Sequence, residues 1–346
     1  MPYPAKPFRS SILGLVAIAA LAASPAAKAG KTLDAIKSRG SVTCGVNTSA
    51  PGFSAADSQG KWAGLDVDLC RAVAAAVLND PEKVKYVPLN SQQRFAALQA
   101  GEVDMLSRNT TWTLARDAGL GLVFLGVNYY DGQGFMVPKK LKIASVGKLG
   151  NATICVQAGT TSERNLADYF AAKKLKYKSV VFDTAEAVQA AFTSGRCQTL
   201  TTDVSDLTGA RSKLPNPQDY VILPEVISKE PLGPAVRRGD DDWAAIVKWT
   251  LYAMQEAEEL GVTKANITQL KTESKDPAVL RFLGVSEDTG KLLGLERDWT
   301  VRIINASGNY GESFERNLGE KTPLGLPRGV NKPWTQGGLM YAIPIR

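Results

Sequence analysis

The sequence predicts an α/β fold built as two lobes. Short apolar, strand-like runs alternate with helix-like stretches over most of the chain. That alternation starts afresh partway along, at Ala152. Two apolar extended runs bracket the second alternation: Gly134-Phe135-Met136-Val137 and Leu232-Gly233-Pro234-Ala235-Val236. They are expected to cross between lobes.

The elements follow in order. Val42 to Val46 is a short apolar strand. Asp66 to Leu78 is an Ala-rich helix with an apolar face. Val84 to Val87 is a strand. Ser91 to Ala100 is a helix with Ser91 as its cap. Val103 to Leu106 is the next strand, followed by Leu122 to Leu125 and Phe135 to Val137. In the second alternation, Ala152 to Val156, Val180 to Phe182 and Thr199 to Thr202 are strands. Thr160 to Lys174 and Ala185 to Ser194 are helices. Val221 to Leu223 and Pro234 to Val236 are extended, and Asp241 to Leu260 is a long amphipathic helix. The remainder is partly helical and rich in Gly and Pro near its end. The expected division is a signal segment at 1–29, a discontinuous first lobe at 30–134 plus 236–346, and a second lobe at 135–235.

The first 29 residues read as a secretory signal. Lys6 and Arg9 give a positive start, Ile12 to Ala23 is a short apolar run, and Ala27-Lys28-Ala29 is a cleavage site of the A-x-A type. The run is about 12 residues, where a membrane span needs roughly 20. The expectation is an exported protein, cleaved after Ala29; an uncleaved anchor is the alternative. Net charge is +7, and Lys6, Arg9 and Lys28 of that excess lie in the leader. The remaining basic residues are scattered, which gives no case for nucleic acid.

The chain has no histidine. Ser-His-Asp and Cys-His nucleophile activation and His-ligated zinc are thereby excluded. Four cysteines, Cys44, Cys70, Cys155 and Cys197, follow the leader at spacings that match no metal motif. An even count in an exported chain suggests disulfides. Of three possible pairings, Cys44–Cys70 and Cys155–Cys197 are favoured because each would sit within one lobe. Neither a metal nor a cofactor is expected.

Three segments carry chemistry. Ser107 to Arg116 brings an amide, hydroxyls and a guanidinium together after a strand, and Arg116 can hold a carboxylate bidentately. Gln157-Ala158-Gly159-Thr160-Thr161-Ser162-Glu163 opens a helix directly after a strand. Its free first-turn N–H groups and the helix dipole make an anion site, although a plain helix cap has the same signature. Asp203 ends a strand, where open α/β sheets place ligand groups; it too could simply cap a helix. Together the segments describe a receptor for an α-amino acid zwitterion. Arg116 and the Thr160–Thr161 turn take the carboxylate, Asp203 takes the ammonium, and Asn109 and Thr111 hold both from the first lobe.

The order of these segments resembles the family-3 periplasmic solute-binding proteins of ABC transporters. The resemblance rests on Trp62-Ala63-Gly64-Leu65-Asp66-Val67-Asp68, Thr111-x-Thr113-x-x-Arg116, Gly159-Thr160-Thr161-x-Glu163 and Asp203. More narrowly, the chain is similar to the general L-amino-acid-binding branch. Tyr129 to Phe135, Leu223 to Pro234 and Gly308 to Asn317 are specific to that branch. It departs at Gln198, where an Asp usually follows Arg196-Cys197. The resemblance implies a type II periplasmic binding protein with two crossing hinge strands, which closes on a polar L-amino acid and delivers it to a membrane permease. It implies a periplasmic location, a monomer and no catalysis. A dehydratase-type enzyme on the same fold and a ligand-sensing domain are the alternatives.

Side-chain recognition is expected between the turn Asn47-Thr48-Ser49-Ala50-Pro51-Gly52-Phe53 and the helix at Ser91. Relatives specific for acidic amino acids carry one Arg near that turn and another in the helix. This chain resembles them at Ser91 and Arg94 but has neutral Asn47, Thr48 and Ser49 at the turn. With one cation instead of two, glutamate, glutamine, aspartate and asparagine should bind comparably. Arg94 could instead be a solvated helix residue.

Overall fold

The computed structural model describes residues 32–346 together with the first two residues. The leader and its cleavage site at Ala29 lie outside the described residues. Two five-stranded sheets form the cores of two lobes. In the first, the strands run in the order Val84–Pro88, Val42–Val46, Met105–Leu106, Ala235–Arg237, Leu122–Phe124. The first three are parallel and Ala235–Arg237 is antiparallel to both neighbours. In the second the order is Lys178–Phe182, Thr153–Gln157, Thr199–Asp203, Gln133–Pro138, Tyr220–Ile222. Again three parallel strands adjoin antiparallel ones. The carboxyl ends of both parallel sets open on the cleft between the lobes.

The crossing strands differ from expectation. Gln133–Pro138 is an interior strand of the second sheet and Ala235–Arg237 an interior strand of the first. Their apolar character reflects burial inside a sheet. The chain passes between lobes just before each of them. Tyr129–Asp131 pairs antiparallel with Glu230–Leu232 in a separate two-stranded ladder. Polar Asp131 and Glu230, and a proline, hide this ladder from a hydrophobicity reading.

The first lobe's core gathers around the Leu65–Leu78 helix, buried along most of its length, and the Asp241–Glu259 and Trp299–Ser307 helices. Trp243 is buried and donates its indole N–H to the Asp104 carbonyl at 2.9 Å. The second lobe has two smaller cores, one on each face of its sheet. Both disulfides form as expected. Cys44–Cys70 ties the Val42–Val46 strand to the Leu65–Leu78 helix, and Cys155–Cys197 joins two positions within the second lobe. Among the described residues, no helix is long and apolar enough to cross a membrane.

The C-terminal segment closes over the first lobe. Asp68 accepts hydrogen bonds from Ser313, Arg316 and Asn317. Glu258 holds Arg328 through two of its nitrogens, at 2.8 and 3.1 Å. Asn331 then reaches the crossing ladder: its side chain accepts from the Tyr130 N–H at 2.7 Å and donates to the Tyr130 carbonyl at 3.1 Å.

Candidate functional site

A small cavity lies between the carboxyl ends of the two strand sets. Of the nine residues expected to hold a ligand, eight line it: Ser91, Arg94, Asn109, Thr111, Arg116, Thr160, Thr161 and Asp203. Ser49 does not. It lines an adjoining chamber, where its hydroxyl accepts from the Lys213 ammonium at 3.0 Å. The turn that carries Ser49 leads away from the cavity, and Asn47 is its member at the cavity wall.

Local structure explains how each group arrives. Asn109 has φ +43°, a left-handed conformation that Asn tolerates better than most residues. Asp66 holds that turn, accepting from the Asn109 N–H at 2.6 Å, the Ser107 hydroxyl at 3.0 Å and Asn128 at 3.2 Å. Burial nonetheless pushes its carboxyl up to about 6. Ser91 is not the helix cap. Asn90 accepts from the N–H groups of Gln92 and Gln93 at 3.0 and 2.8 Å, and the helix begins at Gln93. Ser91 is thereby free to face Arg108, whose guanidinium donates to its hydroxyl at 3.5 Å.

Thr160 caps the Thr161–Ala172 helix, accepting from the Glu163 N–H at 3.2 Å and donating to the Gln157 carbonyl at 2.7 Å. Gly159 has φ +72°, and a Cβ there would sit 3.0 Å from Gln92 across the cleft. Only glycine meets both demands without strain. The hydroxyls of Thr111 and Thr161 both donate to Glu230, at 2.6 and 2.8 Å. Their protons are therefore committed to the crossing ladder, and a ligand carboxylate would meet the first-turn N–H groups of the helix instead. Ser228 and Asn165 complete the Glu230 shell.

Asp203 occupies the cap position of the Val204–Ser212 helix, yet its side chain makes no capping bond. It is buried at 6% exposure. Burial, and then the neighbouring carboxylates Asp131, Asp206 and Glu230, push its carboxyl well above the usual range, while Arg116 pulls it down. Arg94 and Arg108 are also buried, so the solvated reading of Arg94 fails. Burial, with repulsion from Arg108 and Arg116, lowers the Arg94 guanidinium. Burial brings Arg108 and Arg116 each down to about 10. Arg94 Nε and Arg108 Nε and Nη1 are buried donors without acceptors. Arg116 spends one N–H on the Thr111 carbonyl at 2.9 Å.

The charges are segregated. The cations lining the cavity, Arg94, Arg108 and Arg116, come from the first lobe, and its acids, Asp203 and Asp206, from the second. Among the described residues none of these guanidiniums reaches a carboxylate within 4.0 Å. The lobes meet through neutral or singly charged contacts: Asn109 to Asp206 at 3.2 Å, and Arg94 to the Gly159 carbonyl at 3.4 Å.

Arg108, Asp206, Gln157, Ser162 and Thr202 also line the cavity but were not singled out from the sequence, nor was Glu230, which holds Thr111 and Thr161 behind it. Asp206 had a signal, since it lies one helical turn after Asp203 and shares its face. Arg108 sat inside the stretch already singled out. Glu230 had none, because its partners come from distant segments.

The model of the bacterial extracellular solute-binding proteins, family 3, matches residues 42–266. The general L-amino acid-binding periplasmic protein AapJ of Rhizobium johnstonii is 54% identical over 96% of this chain and 97% of its own length. The glutamate/glutamine/aspartate/asparagine-binding protein BztA of Rhodobacter capsulatus is 54% identical over 98% of this chain and 99% of its own. A solved ABC transporter/periplasmic binding protein from Brucella ovis with glutathione bound superposes with a TM-score of 0.90 at 54% identity, covering 91% of this chain and 99% of that one.

Proposed function

The chain belongs to the bacterial extracellular solute-binding proteins of family 3, and from that premise we propose that it is the periplasmic component of an ABC importer for polar L-amino acids. One observation supports the reading above the rest: among the described residues, cations on one wall of the cavity, two of them with buried donors lacking acceptors, face carboxylates on the other with no ion pair between the walls. A zwitterion placed between them satisfies both walls. Arg116 and the first-turn N–H groups at Thr161 and Ser162 take the α-carboxylate. Asp203 takes the ammonium.

Closure follows from this division. A ligand held by only one lobe leaves a buried charge of the other unmatched, so the ligand binds the closed arrangement more tightly and shifts the population toward it. The crossing ladder of Tyr129–Asp131 and Glu230–Leu232 serves as the hinge. The lobes divide at this ladder, with Gln133–Pro138 in the second and Ala235–Arg237 in the first, and each disulfide lies within one lobe, leaving the hinge free. The leader is cleaved after Ala29, the protein acts as a monomer that delivers its ligand to the permease, and it catalyses no reaction.

Glutamate, glutamine, aspartate and asparagine are the ligands, within about tenfold to a hundredfold of one another, or ~1.4–2.8 kcal/mol. A γ-glutamyl peptide such as glutathione also keeps the free ammonium and α-carboxylate that the cage reads. Its remaining residues would have to extend toward the adjoining chamber, which shares Asn47, Gln157, Thr202 and Asp206 with the cavity. A thermal-shift screen of the twenty amino acids and glutathione tests the reading. The four polar acids and amides should raise Tm most. A response confined to lysine and arginine, or a thousandfold preference for one ligand, contradicts it.

A further inference from the structure

Asp206 is a half-buried carboxylate in the wall shared by the cavity and the adjoining chamber, one turn beyond Asp203. Asn109 Nδ2 lies 3.2 Å from each of its oxygens, and the Thr202 hydroxyl is 3.5 Å from one. Facing it from the first lobe are Arg108 and Arg94. Asp131 of the crossing ladder and Asp203 of its own lobe add like charge nearby. Arg108 makes one long hydrogen bond, to Ser91, and keeps two buried donors without acceptors.

This pairing of walls has a consequence for the ligand's side chain. A carboxamide offers one acceptor oxygen and an NH2 donor group; a carboxylate offers acceptors alone. Between Arg94 and Arg108 on one side and Asp206 on the other, an amide places its oxygen on the guanidiniums and its NH2 on Asp206. A carboxylate sets one oxygen against Asp206, which then has to carry a proton.

Resting on the amino-acid reading above, we propose that Asp206, opposed by Arg108, sets the balance between acidic and amide side chains and keeps glutamine and asparagine competitive with glutamate and aspartate. The second cation that the turn at Asn47 lacks is supplied by Arg108, and Asp206 offsets it.

Calorimetric titration of L-glutamate and L-glutamine into the wild type, Asp206→Asn and Arg108→Gln is the test. Asp206→Asn keeps the size, removes the charge and puts an NH2 donor beside one remaining acceptor oxygen. It should raise the glutamate-to-glutamine affinity ratio by roughly 10-fold to 100-fold. Arg108→Gln should move that ratio the other way. Repeating the wild-type glutamate titration in buffers of different ionisation enthalpy should show proton uptake that Asp206→Asn removes. A ratio unchanged within about threefold in both variants overturns the assignment. So does equal proton uptake in wild type and Asp206→Asn. Wild-type protein that binds neither amino acid overturns the amino-acid reading, and the assignment with it.

Discussion

The two walls of the cleft are built from opposite materials. The first lobe supplies guanidiniums on three separate elements: Arg94 on the Gln93–Ala100 helix, Arg108 after the Met105–Leu106 strand, and Arg116 on the Leu114–Asp117 turn of helix. The second lobe supplies carboxylates from a single strand-to-helix junction, Asp203 and Asp206. Like charges gathered on one wall repel, and burial adds to the cost. Each wall is thus unfavourable by itself, and each becomes favourable opposite a ligand that carries the complementary charge. Segregation of this kind is what the proposed closure on a zwitterion calls for.

The first-lobe wall is tested by the largest expected effect. Arg116→Ala should leave the fold intact, since the side chain holds one backbone carbonyl, that of Thr111, and lies over the Phe95 ring. It should cost roughly 2–5 kcal/mol of amino-acid binding, or ~30-fold to several-thousand-fold. Calorimetry showing less than a tenfold loss would take Arg116 out of the cage.

The scaffolds beneath the walls also differ. The first lobe has one large core, a smaller one and a C-terminal cover, and the second has two small cores. The second lobe should therefore lean harder on its disulfide. Replacing Cys155 and Cys197 by Ser opens a closure of 42 residues, worth about 4 kcal/mol in the chain-entropy account. Urea unfolding followed by a second-lobe probe should show it. Retained stability in that lobe would mean its cores suffice.

Acid should act on the second wall alone. The Asp203 carboxyl lies well above its ordinary range through burial, with Asp131 and Asp206 beside it at about 7 and about 6. Their raised values mean that protons return to these groups as pH falls below 7. As Asp131 and Asp206 take up protons between pH 7 and 5, the second wall loses the negative charge that balances an ammonium, so amino-acid affinity should drop across that range. Arg116, at about 10, stays charged throughout. A flat affinity profile across that range would detach the second wall's charge from the ammonium.

The smallest effect lies at the hinge. Asn331→Ala removes two hydrogen bonds to the Tyr130 backbone and should change stability by about 1 kcal/mol. If the segment restrains the ladder, ligand dissociation should also quicken in stopped-flow; an unchanged rate would leave it a purely structural cover.

The same contrast explains what could be read from sequence. Strands and helices were legible because burial imposes periodicity, and the two disulfides followed from lobe membership. Arg116, Thr160 and Asp203 were legible because each stands beside a strand end or helix start. The crossing ladder was misplaced because its polar residues, Asp131 and Glu230, are satisfied by partners far away in the chain. Ser49 was misassigned because a turn's sequence does not say which of its residues faces the cleft. Arg108 was overlooked because its burial, and the lack of an acceptor for its Nε and Nη1, emerge only from the fold.

The most direct test of the segregated cage pairs one substitution with two ligands: calorimetry of L-glutamate and of glutarate, which lacks the ammonium, on wild type and Asp203→Asn. The account predicts that the substitution weakens L-glutamate by roughly 10-fold to 100-fold and leaves glutarate unchanged or tighter. An equal loss for both ligands would contradict it.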